Sequence, residues 1–475
     1  MANVIKGVTN ERPFYYFEEI SKIPRGSRNE DKITEYICNF AESLGLEYIR
    51  DESNNVLIVK NATQGRENDA PVLLQAHTDM VCEKNKSSSH DFKNDPITLI
   101  QDGNILRADG TTLGADDGFG VAIMMAILES KENSHPRLEC LFTSGEEIGL
   151  VGASKFNYEH ITAKKLINLD SAEEDTVIIG CCGGVRTSLT YPIDFEYGSF
   201  DAYKITLNGL FGGHSGEDID RGRQNANVLM GKLLSYLLER IEIRTSDIDG
   251  GDRDNAIPRE CEMTVICSKE IEKIWDDAVA YVKDFVRAKE DGNLKINIEN
   301  TITYRAFSTK DTKKLVKILA TPNGVLRYRE TAPILPKMSR NLARVCIKDG
   351  ELDVGFSSRS YKESDLDLCT AELDTLASEI GGNTYHHEKY PGWESPRSSE
   401  LVTDYVTAFK SVNCSDPEIT LIHAGLECGI ITGSVPNMEA ISIGCNVHDL
   451  HTPYETMEID SMDRIYGIVI AFLSK

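Results

Sequence analysis

The run Pro71-Val72-Leu73-Leu74-Gln75-Ala76 is almost wholly apolar, has the length of one strand, and stops at His77 and Asp79. A strand without polar alternation is buried on both faces, so it belongs in the middle of a helix-covered sheet. The pattern recurs in Asn55-Val56-Leu57-Ile58-Val59, Leu138-Glu139-Cys140-Leu141-Phe142-Thr143 and Lys165-Leu166-Ile167-Asn168-Leu169. Residues 120–128, Gly-Val-Ala-Ile-Met-Met-Ala-Ile-Leu, read as a buried helix by their length. Strands separated by such a helix build βαβ units, which sets the class as α/β. Open α/β sheets place ligands beyond the carboxyl ends of their strands. Most of the chain's conspicuous acids and histidines stand at or near such ends: His77 with Asp79, Asp116, Glu146 with Glu147, and Asp170.

Before these strands, residues 10–50 read as helical with a break at Ile23-Pro24-Arg25-Gly26-Ser27. After about residue 186 the texture changes. Residues 202–207 alternate like a half-solvated strand, and helices are expected over 225–241 and 271–288. Strands are expected over 258–267 and 294–298, and residues 310–319, 352–357 and 366–380 continue the mix of elements, giving a smaller sheet with helices on one side. A Pro-, Gly- and Ser-rich stretch near residue 390 marks a boundary. Apolar strands return at 419–422 and 438–444, and a last helix runs from Asp460, its expected cap, to about Phe472. This final piece carries His451, which can complete a site only by folding back on the first part. Residues 187–395 therefore read as an inserted α+β domain, with one catalytic domain formed by 1–186 and 396–475.

At 475 residues with a formal net charge of −25, the chain is expected to form several domains and not to bind nucleic acid over its whole surface. No apolar run is long enough to span a bilayer, and the opening Met-Ala-Asn-Val-Ile-Lys has no signal-peptide pattern. The 12 cysteines are scattered without a CxxC, as in a chain kept reduced, so the cytoplasm is the expected location. Cys82, five positions after His77, carries no mark of an activated thiol.

His, Asp and Glu together suit zinc and its divalent neighbours. His77 is a candidate ligand with Asp79 supporting it; a solvated strand-end pair is the bland alternative. In Gly114-Ala115-Asp116-Asp117-Gly118, adjacent acids before a buried helix need a cation or the helix N-terminus to offset them. Asp116 fits a bridging ligand, and Asp117 alone could serve as a cap. A phosphate loop fits poorly, because no lysine follows and the acids repel an anion. Neighbouring side chains point apart, so Glu146 and Glu147 can divide labour between proton transfer and metal binding. First-turn charges are the alternative for that pair. Asp170 adds another acid. His451 has a rival in His448, and local sequence does not choose between them. His214, in Gly212-Gly213-His214-Ser215-Gly216, stands on a glycine-rich turn of the inserted domain; it reads either as an oxyanion donor or as a plain turn residue.

The ordered set of HxD, GADD, GEE, NLD and a late His451-Thr452-Pro453-Tyr454-Glu455 resembles the two-zinc exopeptidases of the M20 metallopeptidase family. Residues 209–219 and His423-Ala424-Gly425-Leu426-Glu427-Cys428-Gly429 are similar to its bacterial aminoacyl-histidine dipeptidases. The resemblance covers essentially the whole chain. It implies a zinc aminopeptidase-like three-layer α/β catalytic domain with an inserted α+β lid, and two divalent ions: Zn²⁺ first, with Co²⁺ or Mn²⁺ as alternatives. His77 and Asp170 would bind one ion, Glu147 and His451 the other, and Asp116 both. Asp79 would support His77, Glu146 would be the general base, and the Asp116–Asp117 peptide would be cis. The glutamate four positions on, Glu455, selects His451 over His448. His214 would reach the substrate carbonyl from the lid, in its own subunit or a partner's. Arg359 is a loosely matched candidate for the substrate carboxylate. Many relatives carry a lysine where this chain has Gly118. The implied function is hydrolysis of dipeptides with a free N-terminus, Xaa-His and β-alanyl-His among them, by a homodimer with no membrane partner. An amidohydrolase acting on N-acyl amino acids is the alternative. A noncatalytic scaffold would have no chemical need to keep Glu146 beside a ligand.

Overall fold

The computed structural model describes residues 4–330 and 335–475. Two compact units emerge: one of residues up to Cys181 with Trp393–Ile422 and Leu426–Lys475, the other of Cys182–Gly392 with His423–Gly425. The divisions fall a few residues before those read from the sequence, between the adjacent cysteines and ahead of Trp393.

The first unit is built on a nine-stranded mixed sheet. Its centre is parallel: Leu138–Thr143, Val72–His77, Lys165–Ser171 and Glu439–Gly444 lie side by side in that order. Antiparallel strands Val56–Lys60 and Glu47–Arg50 extend one side, and Thr176–Cys181 with its neighbours extends the other. All six residues of Val72–His77 are buried, as the absence of alternation requires. Helix Ala115–Glu129 packs on this strand and on Lys165–Ser171. Leu73, Leu141, Leu166, Ile178 and Ala440 belong to one core cluster of this sheet. The last helix is Ile459–Leu473, preceded by Glu458, so Asp460 lies in its first turn and is not the cap.

The second unit is an antiparallel sheet, also of nine strands, with helices Ala226–Leu238, Ile271–Lys283, Thr309–Leu319 and Glu363–Ile380. The expectation of a smaller sheet was wrong. Strand Lys295–Phe307 runs well past the expected segment, and Gly183–Pro192, Pro336–Lys348 and Asn383–Tyr390 were not foreseen. Gly183–Pro192 does alternate past its start: Thr187, Leu189 and Tyr191 are buried between more open neighbours. Leu189, Leu207, Leu233, Val265, Leu315 and Val354 close the core of this unit.

Candidate active site

Three carboxyl ends of the parallel strands converge. Val72–His77 ends on His77, Leu138–Thr143 leads into Glu146 and Glu147, and Asp170 is the penultimate residue of Lys165–Ser171. Asp116 enters from the non-helical start of Ala115–Glu129, and its bond to Asp117 is the cis peptide implied by the resemblance. His451 comes from the loop before the last helix, at φ 62°.

Asp116 is the centre of the arrangement. Its Oδ1 lies 3.0 Å from His77 Nε2, and its Oδ2 lies 3.1 Å from His451 Nε2. Asp170 Oδ1 is 3.5 Å from His77 Nε2, and Glu147 Oε1 is 3.0 Å from His451 Nε2. Two ligand-type clusters result, His77–Asp116–Asp170 and Asp116–Glu147–His451, sharing one carboxylate. Glu146 joins a third grouping with His77 and Glu147.

The donor chemistry fits divalent cations. His77 Nδ1 sits 3.1 Å from the Asp79 carbonyl, to which it donates. The Nε2 lone pair therefore faces two carboxylates, an arrangement stable only with a proton or a cation between them. His451 Nε2 likewise faces two carboxylate oxygens, Asp116 Oδ2 and the buried Glu147 Oε1, so it too needs a proton or a cation between them. Burial lowers the His77 pKa, but Asp170, Asp116 and Asp79 outweigh it and hold it well above the ordinary value. Burial raises Asp116, yet its hydrogen bonds to His451 and His77 win and keep it far below the usual range. Burial dominates for Asp170, which is pushed up to about 6 against the pull of His77. It also dominates for Glu146, raised well above normal with help from Glu147 and Asp170 and against His77.

Asp79 supports more than one partner. Its Oδ1 accepts the Glu146 N–H at 3.0 Å, Oδ2 accepts the Ser27 hydroxyl at 2.7 Å, and His77 Nδ1 stands 3.5 Å from Oδ1. Burial raises the Asp79 pKa, but the His77 and Ser27 hydrogen bonds prevail and lower it. The pair at 116–117 divides its work. Asp116 faces the cluster, while buried Asp117 accepts the His77 backbone N–H at 3.1 Å and the Gly120 N–H at 3.2 Å. Alternation failed for Glu146 and Glu147. Both reach the cluster, because the segment after Thr143 is a turn with Gly145 at φ 60° rather than extended chain.

Glu455 accepts the N–H groups of Leu113, Gly114, Ala115 and Asp116 at 2.8, 3.1, 2.8 and 3.4 Å, tying the Asp116 loop to the His451 loop. His448 instead pairs with Glu458 at 3.0 Å and joins no ligand cluster among the described residues. Partial burial pushes the Cys82 thiol up to about 11, the opposite of activation.

His214 and Arg359 belong to the second unit. The Glu217 N–H points to His214 Nδ1 at 3.3 Å, which leaves the ring proton on Nε2. Gly212 and Gly213, at φ 74° and 137°, make the turn that carries the ring. Arg223, noted near His214, pairs with Asp218 at 3.1 Å, and Asn225 caps Ala226–Leu238. Arg359 is buried and donates to the Tyr390 hydroxyl at 2.9 Å; its Nε has no hydrogen-bond partner. Buried His423, which sequence reasoning left without a role, bonds Ser339 at 2.8 Å. Burial, Arg359 and His214 push its pKa down to about 3.

Residues 55–188 match the description Peptidase family M28, and residues 205–293 match Peptidase dimerisation domain, whose model carries the M20 label. The chain is 35% identical to the cytosol non-specific dipeptidase of Escherichia coli over 97% of its own length and 96% of the relative's. The solved aminoacylhistidine dipeptidase of Vibrio alginolyticus is 33% identical, with 98% and 96% of the two chains covered and a TM-score of 0.85. The aminopeptidase PepT of Bacillus cereus, 16% identical with 98% of each chain covered and a TM-score of 0.58, shares the fold. Full-length likeness to the two dipeptidases decides what short segment matches leave open: the chain belongs to the M20 family of metallopeptidases.

Proposed function

We propose that the protein is a cytoplasmic metallodipeptidase that hydrolyses dipeptides with a free N-terminus, Xaa-His and β-alanyl-His among them. The carrying observation is Asp116, whose two oxygens stand 3.0 and 3.1 Å from the imidazoles of two ligand clusters. One carboxylate shared in this way is the mark of a co-catalytic metal pair. His77, Asp170 and Asp116 would hold one divalent ion, and Glu147, His451 and Asp116 the other, with Zn²⁺ first and Co²⁺ or Mn²⁺ as alternatives. When bound, the ions supply Lewis acidity to the scissile carbonyl and acidity to water. Glu146 would take the proton from the attacking water and return it to the leaving amine, a role supported by its place beside His77 and Glu147 but outside the two clusters that share Asp116. Asp79 fixes the His77 ring and the Glu146 main chain. His214, with its proton on Nε2, donates to the developing oxyanion. Arg359 receives the substrate carboxylate, a role supported by its burial with Nε unbonded. Domains 1–186 and 396–475 form the catalytic part, 187–395 the lid, and the protein works as a homodimer.

The test is metal analysis followed by a substrate panel. Two ions per chain, with dipeptides turned over and N-acyl amino acids left intact, are expected. Hydrolysis of N-acyl amino acids in preference to dipeptides would overturn the substrate reading.

A further inference from the structure

Arg25 lies in the break between helices Glu11–Ser21 and Asp31–Leu44. Its side chain is buried, with 3% exposure for the residue, and its hydrogen bonds go to main-chain carbonyls rather than to a carboxylate. Burying a guanidinium without such a partner is costly and needs compensation from hydrogen bonds or the surrounding field. Here the hydrogen bonds come from main chain, and the field of Glu455, Asp79, Asp117 and Asp116 also favours the charge. Nη1 donates to the carbonyls of Thr78 at 3.0 Å and Asp79 at 3.1 Å, and Nη2 donates to the carbonyl of Gly114.

These carbonyls belong to the segments that carry His77 and the shared ligand Asp116. The Asp79 carbonyl is also the acceptor that orients His77 through Nδ1. The Gly114 carbonyl stands two residues before Asp116 and also receives the Gly118 N–H at 3.2 Å. Space for the guanidinium depends on two missing side chains. A Cβ at Gly114 would lie 2.6 Å from Nη2, and so would a Cβ at Gly118. Met80 Sδ and Phe17 Cε2 line the same two positions, at 2.8 and 3.2 Å from those Cβ sites.

We propose that Arg25 is a positioning residue of the dinuclear centre, locking the His77 and Asp116 segments together through their backbone carbonyls in a slot kept open by Gly114 and Gly118. The inference rests on the two-metal reading of the site. The sign of one measurement separates positioning from charge alone. A buried positive charge beside a cation site repels the cations, so removing it should tighten binding if charge were its whole effect. Loss of positioning should weaken binding instead. Partners that orient metal ligands are typically worth about 10–100-fold in metal affinity.

Zn²⁺ affinity is to be measured by chelator competition on the full chain, alongside the Tm of the chelator-treated protein. Arg25→Met removes the donors and the charge at similar length. Gly118→Ala leaves Arg25 in place but intrudes on its slot, so it serves as a second variant should Arg25→Met not fold. Each is expected to weaken Zn²⁺ binding by about 10–100-fold. The double variant is expected to be no worse than Arg25→Met, because both substitutions break one interaction. Arg25→Lys, lacking the planar fork, should restore little of the loss. Unchanged or tighter Zn²⁺ binding in either single variant overturns the proposal, as does full additivity in the double variant. A parent protein that takes up no Zn²⁺ overturns the two-metal reading itself.

Discussion

Glu146→Gln isolates proton transfer from everything else at this centre. The Glu146 main chain is fixed by its N–H bond to Asp79 Oδ1 at 3.0 Å, which the substitution leaves intact. Glutamine has the same shape, and Glu146 lies outside the two clusters that share Asp116. The loss is then that of general acid–base catalysis, a factor of about 10²–10⁴ in kcat. At about 1.36 kcal/mol per decade, this corresponds to about 2.7–5.4 kcal/mol of transition-state stabilisation. Glu147→Gln is the comparison. Its Oε1 stands 3.0 Å from His451 and belongs to the Asp116–Glu147–His451 cluster, so the amide should cost a cation first and activity as a consequence. Steady-state kinetics with metal content measured after dialysis reads both effects. E146Q should keep both ions with KM little changed, and E147Q should drop toward one. Metal loss in E146Q with retention in E147Q would exchange the two roles. An E146Q kcat within about threefold of the parent would remove Glu146 as the base.

Four further expectations follow from the same geometry. Binding a cation must displace protons from His77 and His451, whose pKa values their carboxylate neighbours raise, so Zn²⁺ affinity should increase with pH; competition titrations across pH 6–9 check this. In chelator-treated protein these raised histidines stabilise the fold fully below about pH 6.5 and lose that contribution as pH rises through the folded value, so Tm should fall with pH there and be rescued by Zn²⁺. Dipeptides should be cleaved well while amidated dipeptides and tetrapeptides are cleaved poorly, and Arg359→Met should raise KM for dipeptides; equal kcat/KM across the three substrate types would refute recognition of the carboxylate. His214→Ala should lower kcat by about 10²–10³ with metal content unchanged, and mixing it with E146Q should restore activity only if the histidine acts across a dimer.

The sequence by itself determined the parallel core and the positions of its ligand-bearing ends. Apolar runs at 71–76, 138–143 and 165–169 carry their own signal, since a strand buried on both faces must lack alternation. The order of His77, Asp116, Glu147, Asp170 and His451 was equally legible, and the resemblance chose His451 over His448. Tertiary structure decided what spacing does not encode. The turn at Gly145 brings both glutamates to one side, where extended chain would have parted them. Asp117 turns inward to hold His77 while Asp116 faces the cluster, although the two residues are identical and adjacent. The nine-stranded sheet of the inserted unit went partly unread, because strands in an antiparallel sheet are fixed by their pairing partners as much as by their own pattern. Glu455 reaches backbone more than 300 positions away, and Arg25 closes its slot against glycines about 90 residues on. Such contacts exist only once the chain has folded, because local sequence periodicity records which face is buried and not which distant backbone groups will meet there.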